Sequence, residues 1–197
     1  LNATIPYGRV IGIDRDEDAL FIARNRLTPF RDRMTLCKGS FSELMEIAKK
    51  LGVASVSGVL FDLGASSMQF QSPERGFSFQ IPGPLDMRMD RHLPQTAADL
   101  VNTLRESDLA DLIYRYGEER RSRRIAKVLV CHRESKGPIT QTRELADIVC
   151  RAVRPKSKWM RIHPATKTFQ ALRIAVNDEL NELEAGLSHA ISLLAVG

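Results

Sequence analysis

Two short apolar runs, each closed by an aspartate, constrain the fold of this chain more than any other feature. They are residues 9–14 and 57–62, and a third short apolar run, 34–37, lies between them. Each run has the length and composition of a buried strand. The intervening segments, 16–27 and 42–51, carry apolar residues at helical spacing. The order strand, helix, strand, helix, strand predicts an open parallel sheet covered by helices.

The pattern changes after residue 64. Residues 64–95 contain three glycines and four prolines, which predicts a long ordered loop. Apolar residues in 96–152 return to helical spacing, and we interpret this block as a small helical module inserted into the α/β domain. In 165–195 they recur every three or four residues, which predicts one continuous helix of about seven turns.

Composition excludes several classes of protein. No apolar run approaches the ~18–20 residues that span a bilayer, so we expect no membrane-spanning segment. The three cysteines, Cys37, Cys131 and Cys150, lie far apart and form no C-x-x-C pair. A disulfide scaffold and a zinc module are therefore not expected, and no metal site is predicted.

Basic residues cluster in two segments. Residues 115–136 hold eight lysines and arginines against three glutamates, and residues 151–173 hold seven with no acid. This clustering favours a polyanionic partner, RNA or DNA before a membrane, although a solvated basic face would give the same pattern. The candidates for RNA contact form a first group, Arg120, Arg121, Arg123, Arg124 and Lys127, and a second group, Lys156, Lys158 and Arg161 around Trp159.

The aspartates that close two of the runs are candidate ligand-binding residues. In open parallel sheets ligands bind beyond the carboxyl ends of the strands, where a carboxylate such as Asp14 can accept hydrogen bonds from a ribose diol. Asp62 closes another run in the same way. Phe41, after the second run, could lie against a flat base. Turn or capping roles for the acids, and helix-to-sheet packing for Phe41, remain open at this point.

Five longer motifs carry a resemblance to a known family. They are DLGASSMQ at 62–69, ERGFSF at 74–79, GPLDMRMD at 83–90, YGEER at 116–120 and HPATKTFQALR at 163–173. In this order they resemble the RsmH (MraW) family of S-adenosylmethionine-dependent methyltransferases, which act on N4 of a cytidine in small-subunit ribosomal RNA. The resemblance implies a Rossmann-like class I methyltransferase sheet with an inserted helical domain.

The resemblance also implies domains and site residues. Residues 1–69 and 163–197 would belong to the methyltransferase domain, and 70–162 would form an inserted helical domain that contacts RNA. Asp14 matches the family acid that binds the cofactor ribose, and Phe41 a position near the adenine. Asp62 and Gln69 match the remaining contacts to S-adenosylmethionine. The implied partner is ribosomal RNA of the small subunit.

The family pattern is not complete in this sequence. The first strand with its glycine-rich loop, and strands that follow residue 197, are not found, so we expect an incomplete sheet and the middle part of an enzyme. A non-catalytic RNA-binding remnant is therefore an alternative function. A nicotinamide dehydrogenase is a third interpretation, but it would need a G-x-G-x-x-G motif before Asp14.

Two further expectations concern chemistry and location. The acceptor for the amine proton is not assigned, although Asp62 could serve. Methylation at carbon 5 is not expected, because none of the three cysteines lies in a strand-end loop at the ligand edge. The family works in bacterial cytoplasm and, through eukaryotic relatives, in mitochondria. The sequence favours the mitochondrial matrix slightly.

Overall fold

The computed structural model describes residues 1–2, 6–153 and 162–196. The chain forms two compact units. The first unit comprises Leu1–Leu63 with Glu179–Gly197, and the second comprises Gly64–Asp178. The two units meet at 63/64 and 178/179 along the chain. The domain boundaries that the family resemblance implies are 69/70 and 162/163.

The first unit is built on a parallel strand–helix–strand pair, as the sequence predicted. Strand β1 (Val10–Asp14) leads into helix α1 (Glu17–Arg26), and a 3₁₀ turn (Thr28–Arg33) returns the chain to strand β2 (Met34–Lys38). The strands pair in register from Val10 with Met34 to Asp14 with Lys38. A second 3₁₀ turn (Phe41–Glu43) and helix α2 (Leu44–Lys50) follow β2.

The prediction of a third strand at 57–62 is wrong. This segment joins no sheet in the described part of the chain, and Leu60 is 93% exposed. The nearest strand-like pairing is an isolated parallel bridge between Val56 and Leu194. An apolar run of the right length becomes a strand only where a neighbouring strand pairs with it, and among the described residues the sheet contains β1 and β2 alone.

The prediction of one continuous helix over 165–195 is also wrong. The structure has two helices, α8 (Thr166–Asn177) and α9 (Glu179–Leu193), and they belong to different units. Asp178 separates them in the left-handed conformation, with φ of 50°. Aspartate is one of the few residues that enter this region readily, and the apolar spacing runs through the break without recording it.

The second unit is helical, which confirms the prediction for residues 96–152. After the short helix α3 (Ser67–Gln71) and a 3₁₀ turn (Pro73–Arg75) come α4 (Ala97–Thr103), α5 (Glu106–Gly117), α6 (Ser122–Lys136), α7 (Thr142–Val153) and α8. Their apolar faces meet in one core, whose fully buried side chains include Leu109, Ile113, Ile125, Leu129, Leu145, Ile148 and Leu172.

No helix among the described residues is long and apolar enough to cross a membrane. The three cysteines carry free thiols: Cys37 lies on β2, Cys131 on α6 and Cys150 on α7. Within the described ranges, no group of three His, Cys, Asp or Glu side chains could hold a metal ion.

The described residues form a mixed α/β protein with a two-stranded parallel sheet.

Candidate functional site

The carboxyl edge of the β1–β2 pair brings two segments of the first unit together. Because the strands are parallel, Asp14 at the end of β1 lies opposite Lys38 at the end of β2. The amide of Gly39 donates to the carbonyl of Asp14 at 3.1 Å, which extends the contact one residue past the strands. The segment that leads to Phe41 therefore starts beside Asp14.

Asp14 is exposed at this edge. Its Oδ1 accepts a hydrogen bond from the Asp16 amide at 2.8 Å, so the carboxylate also shapes the turn into α1. Partial desolvation raises the pKa of Asp14 above its usual value and outweighs the opposing effect of that hydrogen bond. Asp14 is therefore an exposed acid at the carboxyl edge of the strand pair, and it also has the turn role that the sequence left open.

Phe41 is half-buried and packs within the first unit. Its ring meets Phe61 edge to face, with centroids 5.2 Å apart. Gly186 of α9 lies directly against it, because a Cβ there would come within 2.6 Å of the Phe41 Cβ. Ser40 and Glu43 form the capping box of this turn. Phe41 therefore has a packing role in the first unit, although the residue is not fully buried.

Glu182 on α9 organises this edge, although no motif in the sequence marks it. Its Oε2 accepts from the Ser42 amide at 2.9 Å and lies 3.5 Å from the Arg15 guanidinium. Burial alone would raise the pKa of Glu182, but hydrogen bonds from Ser42 and Ser40 and the Arg15 charge together hold that pKa below its usual value. An acid in an apolar helical stripe gives no sequence signal for contacts across 140 residues.

Asp62 and Gln69 lie in different units. Asp62 is exposed and follows the half-buried Phe61, but it ends an irregular segment instead of a strand. Gln69 is buried on α3, where its side-chain oxygen accepts from the Ser66 amide at 3.0 Å. This bond is half of a capping box, since the Ser66 hydroxyl accepts from the Gln69 amide in return. Gln69 therefore has a structural role at the start of α3.

The first basic group lies around the start of α6 in the second unit. Arg120, Arg121, Arg123, Arg124 and Lys127 are all exposed. Arg121 also donates to the carbonyl of Val153, at the end of α7, at 2.6 Å. The first turn of α6 carries no acid, and Arg121, Arg123 and Arg124 lie at its N-terminus, the positive end of the helix dipole. That placement does not favour helix stability, whereas a bound anion would offset it.

The second basic group, Lys156, Lys158, Trp159 and Arg161, lies outside the described residues. The Gly/Pro-rich loop before α4, in contrast, is held by buried polar contacts. Asn177 is 1% exposed, and its amide donates to the carbonyl of Met87 while its oxygen accepts from the Met89 amide. Buried Arg75 donates to the Met89 carbonyl at 2.8 Å.

A parallel strand pair with an exposed acid at its carboxyl edge is typical of nucleotide-binding α/β proteins. The family model described as MraW methylase family matches residues 1–197, and the chain belongs to that family.

Curated relatives are similar along the whole chain. Proteins named Ribosomal RNA small subunit methyltransferase H are 54% identical over 198 residues in Geobacter sulfurreducens and 52% identical over 197 residues in Syntrophobacter fumaroxidans. A third, from Carboxydothermus hydrogenoformans, is 51% identical over 189 residues. These alignments cover 100%, 100% and 96% of this chain, but 63%, 61% and 60% of the relatives. All three sources are bacterial, so they give no support to a mitochondrial location.

Proposed function

We propose that this chain contributes cofactor-binding and RNA-binding residues to an S-adenosylmethionine-dependent methyltransferase that acts on N4 of a cytidine in small-subunit ribosomal RNA. The observation that carries this proposal is the edge of β1 and β2, where exposed Asp14 lies beside the segment leading to Phe41, in a chain of the MraW family. Because the relatives are bacterial, we place the activity in bacterial cytoplasm.

The residues at this edge fit a nucleoside cofactor. The Asp14 carboxylate can accept hydrogen bonds from a ribose diol, and half-buried Phe41 can lie against an adenine. Glu182 holds Ser42 and Arg15, so both segments that would flank the nucleoside are fixed beforehand. Asp62 belongs to the same unit and completes the proposed set. When bound, S-adenosylmethionine supplies an electrophilic methyl group.

The remaining chemistry concerns the amine. The N4 amine of cytidine is a poor nucleophile because its lone pair is delocalised into the ring, so alignment and a nearby acceptor for its protons matter most. Asp62 is an exposed carboxylate that could accept a hydrogen bond from the amine, although we assign it first to the cofactor. Methylation at carbon 5 would need a thiolate, and Cys37, Cys131 and Cys150 lie within β2, α6 and α7.

The basic group on α6 would hold the RNA. Arg123, Arg124 and Lys127 lie within two turns of one helix, and Arg120 precedes it, so phosphates of one strand could be contacted in succession. The positive end of the α6 dipole adds to the attraction for a phosphate. We therefore propose that the second unit is an RNA-contacting domain.

Methyl transfer to small-subunit RNA that lacks this modification tests the proposal. The chain is incubated with radiolabelled S-adenosylmethionine and the RNA, and the nucleosides are separated by chromatography. We expect label in N4-methylcytidine, and label in 5-methylcytidine would overturn the assignment to N4. If the chain binds RNA but neither binds the cofactor nor transfers methyl groups, the non-catalytic alternative replaces the proposal.

A further inference from the structure

A cleft in the second unit has no part in the site described above. Its volume is about 300 Å³, at the lower end of the range for ligand pockets. One wall is α8, and the other is formed by α3 and the loop that follows it. Its lining comprises Phe70, Phe77, Ser78, Phe79, Gln80, Thr166, Phe169, Gln170 and Arg173.

The aromatic side chains of the cleft form two pairs. Phe79 meets Phe169 edge to face with centroids 4.9 Å apart, and Phe70 meets Phe77 at 6.3 Å. Phe77 and Phe169 are buried in the core, whereas Phe70 is 45% exposed. An aromatic ring left open beside buried rings offers a flat surface on which another ring can stack.

The α8 wall adds polar groups to this aromatic surface. Thr166, Gln170 and Arg173 are spaced by four and three residues, so they share one face of the helix. The Gln170 amide can donate and accept at once, which matches the edge of any nucleobase. Arg173, which also lines the cleft, brings a positive charge. The occupant that these groups fit is planar and carries an anion.

We propose that this cleft holds one unpaired nucleobase of an RNA strand, stacked on Phe70, with Gln170 at the base edge and Arg173 directed to the backbone phosphate. Sequence-specific RNA recognition uses this combination of aromatic stacking and hydrogen bonds to base edges on single-stranded segments. The inference rests on the proposed function for its partner, RNA. It adds a base-reading site to the phosphate contacts proposed for α6.

The test compares two oligomers of equal length and charge. Fluorescence anisotropy measures binding of the full chain to labelled hexacytidine RNA and, separately, to a labelled abasic ribose-phosphate hexamer. We expect tighter binding of hexacytidine, and Phe70→Ala should weaken it about 5- to 100-fold while leaving the abasic oligomer unaffected. The matched control is Phe21→Ala, because Phe21 is also an exposed phenylalanine, 64% accessible, on α1 of the first unit.

A second variant tests the base edge. Gln170→Leu should weaken hexacytidine binding about 2- to 10-fold, whereas Gln95→Leu, at an exposed position outside the cleft, should not. Circular dichroism checks that each variant is folded. The cleft is not a base site if the two oligomers bind equally or if neither binds. The same conclusion follows if Phe21→Ala weakens binding as much as Phe70→Ala, or if hexaglutamate competes fully with hexacytidine. If the chain binds hexacytidine more tightly than the abasic oligomer but transfers no methyl group, only the proposed function is contradicted.

Discussion

Asp14 has one observed role, in the turn into α1, and one proposed role, in binding the cofactor, and the two can be separated. Its Oδ1 accepts from the Asp16 amide, a bond that an asparagine oxygen can also make. A ribose diol, however, favours the charged carboxylate. The exposed position and the raised pKa leave this carboxylate less stabilised by the fold than a buried, paired acid.

Replacing Asp14 should therefore affect the cofactor more than the fold. We expect Asp14→Ala to weaken binding of S-adenosylmethionine by roughly 1–3 kcal/mol, measured by calorimetry. Because the folded-state pKa is raised, ionised Asp14 lowers the stability of the fold as the pH rises through that pKa, so Asp14→Asn should not destabilise the protein at neutral pH. Unchanged cofactor affinity in both variants would remove Asp14 from the site.

The pH dependence of cofactor binding follows from the same residue. As the pH falls through the raised pKa, Asp14 gains a proton and the carboxylate loses acceptor capacity, so affinity should fall at a higher pH than an ordinary aspartate would give. A calorimetric titration at a series of pH values checks this. Asp14→Asn is the control, because it should remove that part of the pH dependence; a profile that the substitution leaves intact would assign the titration to another group.

Asn177 is the residue on which the loop before α4 most depends. Asn177→Ala would leave the Met87 carbonyl and the Met89 amide without the partner they have in the native fold, deep in the second unit. We expect a loss of about 2–4 kcal/mol in the free energy of unfolding, measured with denaturant. Asn25→Ala, at an exposed position on α1, is the matched control, and equal effects of the two substitutions would contradict this account.

At the scale of elements, the sequence predicted what depends on local pattern. The strands β1 and β2, helix α1 and the helices of 96–152 follow from apolar spacing, and the structure confirms them. The prediction of a third strand was wrong because no strand pairs with residues 57–62, and strand pairing depends on tertiary structure. The prediction of one continuous helix was wrong because a single left-handed residue, Asp178, breaks the helix and leaves the apolar spacing unchanged. Glu182 could not be found because its contacts are remote in sequence.

Helix α9 supports the candidate cofactor edge through a close approach at Gly186. A methyl group there would meet the Phe41 Cβ at 2.6 Å and the Phe61 Cε1 at 3.1 Å. Gly186→Ala should destabilise the first unit by about 1–3 kcal/mol, less the smaller gain in helix propensity. Gly58→Ala is the control, because nothing lies within 4 Å of a Cβ at Gly58. A Gly186→Ala protein that unfolds at higher denaturant concentration would refute this packing.

The start of α6 gives a prediction that depends on salt. Replacing Arg120, Arg123 and Arg124 together by glutamine should leave cofactor affinity unchanged and reduce the dependence of log K on log salt by about 2 for single-stranded RNA. Arg121→Gln is made separately, because Arg121 also holds the end of α7 through Val153. An unchanged salt slope in the triple variant would show that this surface is only a solvated basic face.

At the scale of the whole molecule, the two units differ in how much apolar surface they bury. The second unit has an extensive core that joins α4 to α8 and the loop before them. The first unit buries fewer side chains, among them Leu20, Ile47 and Leu193, and leaves Leu60 93% and Ile191 75% exposed. Since hydrophobic burial is the main favourable contribution to folding, the units should differ in local stability.

Hydrogen exchange followed by mass spectrometry measures this difference directly. We expect the amides of α5, α6 and α8 to exchange most slowly, because their apolar faces form the core of the second unit, and those of β1 and β2 to exchange faster through local opening of the first unit. Residues 64–178 expressed alone should keep the slow amides and unfold cooperatively, because this segment is continuous and contains its own core. Exchange at one uniform rate in both units, or loss of the slow amides in the isolated segment, would show instead that the stability of the helical core depends on the rest of the chain.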